Sequence, residues 1–100
     1  MTNARFWIYG FSITGHSTKD AGDDEGRALC AAVSSAAYMA ANTITEVIKD
    51  TAEIEVKDGE MFLSAQNPSD KTIAVLKGLR LHLSELSKQY GKRLSVTTEV

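Results

Sequence analysis

The stretch TAEIEVKDGEMFLSAQNPSD, residues 51–70, decides the fold, because it holds two strands and the start of a helix. Apolar side chains alternate with charged ones at residues 51–56, Asp58-Gly59 is a turn dipeptide, and residues 61–63 resume an extended apolar run. Asn67-Pro68-Ser69-Asp70 is a natural helix start. The stretch therefore predicts a β-hairpin that leads directly into a helix.

Helical periodicity extends on both sides of this hairpin. Before it, a helix is predicted over residues 26–49, with Lys49 as a cation suited to the helix C-terminus. After it, a second helix is predicted over residues 69–90, with Gly91 as its C-cap. The apolar positions that carry the two predictions are Leu29, Val33, Ala36, Ala40, Ile44 and Val47 or Ile48 in the first, and Ile73, Leu76, Leu79, Leu83, Leu86 and Tyr90 in the second.

Extended segments also occur at the two ends of the chain. Residues 6–9 and 11–13 are rich in aromatic and β-branched side chains around Gly10, which predicts two short strands forming an edge hairpin. Residues 94–96 predict a last strand. The order ββαββαβ favours an α+β fold, in which two β-hairpins and a C-terminal strand form a largely antiparallel sheet with two helices on one face. The 100 residues are predicted to form a single domain.

The composition of the chain argues against nucleic-acid binding and against membrane association. Lys+Arg 11 against Asp+Glu 13 leaves a formal charge of -2, so no general basic surface attracts nucleic acid, and we expect no direct nucleic-acid partner. We expect no apolar run to be long enough to span a membrane, and the start MTNARFWIYG lacks the features of a signal peptide. These observations predict a cytoplasmic protein with no membrane association.

The chain has one cysteine, and a histidine precedes it at the end of the first predicted hairpin. If the first helix begins near Gly26, Cys30 lies at the end of its first turn, where the helix dipole favours a thiolate. His16 follows Gly15, whose missing side chain allows backbone or substrate to approach closely. If strand end and helix start are adjacent, imidazole and thiol form the nucleophile and base of a cysteine hydrolase. One cysteine and two histidines that are far apart in the sequence make a weak set of metal ligands, so we predict neither a metal nor a cofactor.

Simpler interpretations of the same residues stay open. A lone cysteine in an alanine-rich helix is commonly a small buried hydrophobic residue, and His16 could be only a polar residue at a strand end. The acids before the helix are typical of a solvated loop that ends in a helix cap.

The pattern Gly15-His16, a variable loop, then Leu-Cys-Ala-Ala-Val-Ser at residues 29–34 resembles the family of ribosomal-processing cysteine proteases called Prp. The similarity extends to the N-terminal hairpin, to Gly59 before a short strand, to residues 76–86 of the second helix and to Tyr90-Gly91 before a strand.

The resemblance implies a bacterial endopeptidase, often a homodimer, that removes a short N-terminal extension from a large-subunit ribosomal protein. It implies that His16 is the catalytic histidine and Cys30 the nucleophile, with Ser34 in a supporting role near the thiol. The alternative is a non-catalytic ribosome-assembly or protein-interaction module with the same fold.

The chain departs from the family pattern three residues before the cysteine, where many relatives carry an aspartate and this chain has Arg27. An acid that completes a triad must therefore come from elsewhere, or the enzyme works as a dyad. The polar loop before the helix is predicted to be a mobile flap that closes over bound peptide and attracts a basic segment of it. Its substrate-binding candidates are Asp20, Gly22, Asp23, Asp24 and Glu25.

Overall fold

The computed structural model describes residues 1–15 and 22–99, and these follow the predicted order of strands and helices. An α+β fold with a five-stranded sheet and two helices is therefore confirmed. The elements are β1 (Thr2–Trp7), β2 (Gly10–Gly15), α1 (Asp24–Asn42), a π-helical segment (Thr43–Ile48), β3 (Ala52–Lys57), β4 (Glu60–Ala65), α2 (Asp70–Tyr90), a short 3₁₀ helix (Gly91–Arg93) and β5 (Leu94–Thr98).

The sheet has the strand order β3-β4-β2-β1-β5. Neighbours pair antiparallel except β5, which lies parallel to β1 with Leu94 opposite Thr2. The first hairpin is therefore central, and its prediction as an edge hairpin was wrong. The physical reason is that β2 has a second partner in β4 and β1 has one in β5, so the backbone groups on both sides of this hairpin are hydrogen-bonded within the sheet.

The boundaries of the first hairpin also differ from the prediction. Ile8 and Tyr9 form the turn, and Gly10 is the first residue of β2, opposite Trp7, rather than a break between strands. A Cβ added to Gly10 would lie 2.0 Å from the carbonyl oxygen of Leu63 on β4. Gly10 is thus required inside the sheet because the backbone of β4 approaches it closely.

The hydrophobic core lies between one face of the sheet and both helices. Ala4, Phe6, Phe11 and Ile13 of the central strands alternate with exposed or half-buried residues, so a single face of the sheet is buried. The helices and the remaining strands add Leu29, Val33, Ala37, Ala40, Ala41, Ile44, Met61, Leu63, Leu76, Leu79, Leu83 and Leu94. Leu29, Ile44 and Leu83 are completely buried, which confirms the apolar stripes expected for both helices except at Val47, which is exposed.

Helix α1 begins at Asp24, two residues before the predicted start, because Asp23 acts as its N-cap and accepts a hydrogen bond from the Gly26 amide. Its last turns are π-helical, a feature not predicted, and the segment ends at Lys49, whose φ of 66° is left-handed. Contrary to the sequence-based expectation, the helix from Asp24 to Ile48 is long and apolar enough to span a membrane. Core helices of soluble proteins meet the same criterion, and here one face of α1 packs against the sheet.

The start of α2 is tied to the segment before β3. Ser69 is the N-cap, as expected for the helix start, and Asp50 accepts hydrogen bonds from the Ser69 amide (2.8 Å), the Ser69 hydroxyl (2.8 Å) and the Thr72 hydroxyl (2.6 Å). The Thr72 bond, followed by the two from Ser69, holds the pKa of the Asp50 carboxyl below its ordinary value. Gly91 ends α2 with a φ of 62°, which confirms the predicted C-cap.

Candidate functional site

A cavity of about 250 Å³ lies beside α1, where the end of β2 meets the turn between β3 and β4. The first half of α1 contributes Cys30, Val33 and Ser34 to its wall, and β2 contributes Gly15. The other lining residues are Thr2, Ile13, Ala37, Tyr38, Val56, Lys57, Asp58, Gly59, Glu60 and Met61. Apolar side chains therefore cover the side toward the core, while charged residues are supplied by the β3–β4 turn.

Cys30 faces this cavity and is half-buried. It belongs to the second turn of α1, not to the end of the first turn as expected, because the helix begins at Asp24. The helix dipole acts mainly within the first turn, so it stabilises a thiolate less at this position than the sequence suggested. Cys30 lies at a cavity wall and not within the core. A thiolate at this position would depend more on a neighbouring base than on the helix dipole.

Gly15 closes β2 on the opposite wall of the cavity. Its φ of 95° is left-handed, and an added Cβ would lie 2.3 Å from the carbonyl oxygen of Met1. Its amide donates a hydrogen bond to the Gly59 carbonyl at 2.9 Å, which fixes the strand end to the β3–β4 turn. Close backbone approach, one of the two reasons expected for a glycine here, is thus confirmed.

The predicted base His16 is the next residue after Gly15 and lies outside the described residues, as does Asp20 of the predicted flap. Among the described site candidates, Cys30, Ser34 and Gly15 line one cavity. Ser34 is exposed and lies one helical turn after Cys30 on the same side of α1.

The described acids of the predicted flap are engaged at the start of α1. Asp23 caps the helix and accepts a hydrogen bond from Arg93 at 2.6 Å, and Glu25 lies 3.6 Å from the same guanidinium. The hydrogen bond to Asp23 raises the pKa of Arg93 above its ordinary value. Gly22 is exposed beside this cap. The helix start is thus held by a residue that lies just before β5.

Arg27, the residue that departs from the family pattern, lies in the first turn of α1 and forms an ion pair with Asp24. Both side chains are largely exposed, so the pair adds little to stability. Arg27 therefore pairs with an acid of its own helical turn.

Sequence reasoning did not identify the far wall of the cavity. The pattern of residues 56–61 predicts only a hairpin with its turn, and nothing in the sequence distinguishes Tyr38 from other surface residues of the helix. Two exposed apolar side chains, Val56 (50 %) and Tyr38 (45 %), line this part of the cavity. Within residues 1–15 and 22–99, no three His, Cys, Asp or Glu side chains gather as metal ligands would.

A family model described as cysteine protease Prp matches residues 1–95 of the chain. No curated protein matches it significantly by sequence.

Solved structures of similar fold include the ribosomal processing protease Prp of S. aureus in complex with a substrate peptide. It has a TM-score of 0.86 at 15% identity and covers 99% of this chain and 100% of that one. The same S. aureus protease with a covalently linked product peptide gives 0.85 at 14% identity, with the same coverage. SMU.848 from Streptococcus mutans gives 0.83 at 21% identity, covering 99% of each chain.

Proposed function

Because the chain belongs to the family of Prp cysteine proteases, we propose that it is an endopeptidase with Cys30 as nucleophile and His16 as base. Its proposed substrate is a large-subunit ribosomal protein that carries a short N-terminal extension, which the enzyme removes. One observation carries the assignment of the residues: Cys30 and Gly15, the residue directly before His16, line the same cavity. The similarity to the S. aureus ribosomal processing protease supports the choice of substrate.

The proposed reaction has two stages. His16 takes the proton of the Cys30 thiol, the sulfur attacks the scissile carbonyl carbon, and a tetrahedral intermediate forms. The carbon–nitrogen bond breaks when the imidazolium gives its proton to the leaving amine, which leaves a thioester on Cys30. Water, deprotonated by His16, then attacks the thioester carbonyl, and the products are a carboxylate and the restored thiol.

Ser34 takes a supporting role in this proposal. It lies one helical turn after Cys30, it is exposed, and it lines the same cavity. Its hydroxyl can donate a hydrogen bond to a peptide carbonyl or accept one from a peptide amide next to the thiol. It therefore contributes to holding the extended substrate against α1.

The β3–β4 turn forms the proposed opposite side of the substrate cleft. Lys57, Asp58 and Glu60 border the cavity there, and Val56 offers an exposed apolar side chain. A peptide between this turn and α1 meets apolar side chains beneath it and polar ones at the rim, which is the usual composition of a binding cleft.

We also propose that the protein acts in the cytoplasm as a homodimer, without direct contact to nucleic acid or membrane. Support for self-association comes from Met39 and Val47, which leave 62 and 75 % of their surface exposed on α1 and its π-helical end. Light scattering coupled to size exclusion measures the mass of the particle directly, and a monomer at micromolar concentration contradicts the dimer.

The decisive experiment incubates the protein, Cys30→Ser and His16→Ala with the ribosomal proteins of the same cell. We expect one large-subunit protein to lose a short N-terminal segment with the wild type alone, as read by intact mass. Iodoacetamide labelling of Cys30 across pH gives a second reading, because an activated thiolate reacts well below the ordinary thiol pKa of about 8.5. Absence of any trimmed protein, together with ordinary thiol reactivity, favours the non-catalytic interaction module.

A further inference from the structure

The face of the sheet turned away from the helices is open and carries an aromatic pair. Trp7 of β1 and Phe62 of β4 have ring centroids 5.7 Å apart at an interplanar angle of 38°. Both side chains are half-buried and point away from the core, since their neighbours Phe6, Met61 and Leu63 point into it. Two large aromatic rings thus lie on a surface that no helix of the described residues covers.

The contact crosses an intervening strand. Strands β1 and β4 are separated by β2, where Gly10 is paired with Trp7 and Ser12 with Phe62. Because these two residues carry no bulky side chain, the indole can reach over β2 to the phenyl ring. The pair therefore forms a flat apolar surface that spans three strands.

Two carboxylates border this surface on the edge strand β3. Glu55 is paired with Phe62, and Glu53 is paired with Ser64, which is paired in turn with Gly10. Directly paired residues point to the same side of a sheet, so both glutamates share the face with the aromatic rings. They are exposed, and within residues 1–15 and 22–99 neither makes an ion pair.

The other charges of this face are balanced locally. Arg5 forms an ion pair with Glu99 at 2.5 Å, and Lys57 is paired across the strands with Glu60. Glu53 and Glu55 are thus the excess charge beside the rings. Since they are two residues apart on one strand, they are separated by about 7 Å, the spacing of alternate side chains in any extended peptide.

We propose that this open face binds an extended polypeptide segment with lysine or arginine at alternate positions. One or two cationic side chains stack on Trp7 and Phe62, where the ring faces attract a cation, and pair with Glu53 and Glu55. The site lies on the opposite side of the sheet from α1 and Cys30, so binding here is independent of peptide cleavage.

Single-stranded RNA is the competing occupant, because bases also stack on aromatic residues of open sheets. The uncompensated Glu53 and Glu55 repel phosphates, however, and favour the basic peptide.

Trp7 is the single tryptophan of the chain, so its fluorescence reports directly on this face. The experiment titrates Cys30→Ser, which prevents cleavage, with an eight-residue peptide of alternating lysine and serine. An alternating glutamate–serine peptide and an eight-nucleotide oligouridylate serve as the comparison ligands. We expect a saturable change in fluorescence with the basic peptide alone. A saturable change with oligouridylate but not with the basic peptide overturns the proposal.

Substitutions test whether the basic peptide binds to the open face of the sheet. Glu53→Gln with Glu55→Gln should raise the dissociation constant of the basic peptide about fivefold or more, and Phe62→Leu about twofold to fivefold. The matched control, Glu46→Gln with Glu85→Gln, removes the same charge from the helical side and should leave the constant within a factor of two. Equal weakening by both double variants, or no saturable binding at all, refutes the site whether or not the protein cleaves its proposed substrate.

Discussion

The starts of the two helices use the same capping chemistry in different surroundings. At α2, Ser69 caps the helix and the Asp50 carboxylate joins it to Thr72, which is completely buried. At α1, Asp23 caps the helix and pairs with Arg93, and the next turn carries Cys30 at the wall of a cavity. The α2 start has no residue in that cavity, whereas the α1 start places Cys30, the proposed nucleophile, at its wall. The comparison teaches that one local device can serve stability in one place and positioning in another.

The largest loss of activity is expected from a substitution that loosens the start of α1. Arg93→Gln removes the ion pair with Asp23 and loosens the turn before Cys30. We expect kcat/KM for trimming of the ribosomal protein to fall about tenfold or more, because small displacements of reacting groups slow a reaction strongly. The control is Arg5→Gln, which breaks the exposed Arg5–Glu99 pair far from the cavity. Equal loss of activity in both variants would show that the α1 start has no special positioning role.

The opposite outcome is expected at the α2 start. Thr72→Val keeps the shape of the buried side chain but leaves Asp50 without its shortest hydrogen bond, so Tm should fall by about 5 °C or more while kcat/KM changes less than twofold. A double-mutant cycle with Asp50→Asn gives the control. If the two effects on Tm simply add, the carboxylate and the hydroxyl are not coupled and the assignment fails.

Lowering the pH should weaken the stabilisation that Asp50 gives to the start of α2. The folded-state pKa of Asp50 is lowered by Thr72 and Ser69, so the unfolded chain binds the proton more tightly than the folded one. The resulting stabilisation is fully present above the unfolded pKa of about 3.9 and is lost as the pH falls through the folded value. Urea unfolding of wild type and Asp50→Asn from pH 7 to pH 3 should therefore show two curves that converge in acid. A constant separation between them contradicts this linkage.

The smallest effect concerns the exposed acids of the α1 start. Asp24 and Glu25 are expected to attract a basic substrate, so Asp24→Asn with Glu25→Gln should lower kcat/KM severalfold at low salt. The loss should largely vanish near 0.5 M salt, where the Debye length is only about 4 Å. A collapse of kcat that is equal at both salt concentrations would instead assign one of these acids to the orientation of His16.

Local patterns predicted the order of elements, both helical stripes, the start of α2 at residues 67–70, the Gly91 cap and the hairpin around Asp58-Gly59. They failed at Gly10, because a glycine between aromatic residues suggests a turn, and only the backbone of β4 shows why it lies inside a strand. The parallel pairing of β5 with β1 and the bond from Arg93 to Asp23 join distant parts of the chain. Such partners leave no periodic signal in the sequence.

The candidate site was also predictable where it depends on local sequence and unpredictable where it depends on distant partners. Gly15, Cys30 and Ser34 could be placed together from the end of a strand and the start of a helix, and they do line one cavity. The wall formed by the β3–β4 turn could not be predicted, since it depends on β4 pairing with β2 and on the bond between the Gly15 amide and the Gly59 carbonyl. The position of the helix start, set by the Asp23 cap, moved Cys30 into the second turn.

The π-helical segment Thr43–Ile48 has a consequence for how the family can tolerate changes in chain length. A turn of π-helix holds about one residue more than a turn of α-helix, so deleting one residue here would close the segment into ordinary α-helix and leave Lys49 and Asp50 near their present positions. Ile44 is completely buried, so it limits which side chains the segment accepts. Relatives should therefore differ here by the loss of a single residue more readily than by replacement of the side chain at position 44.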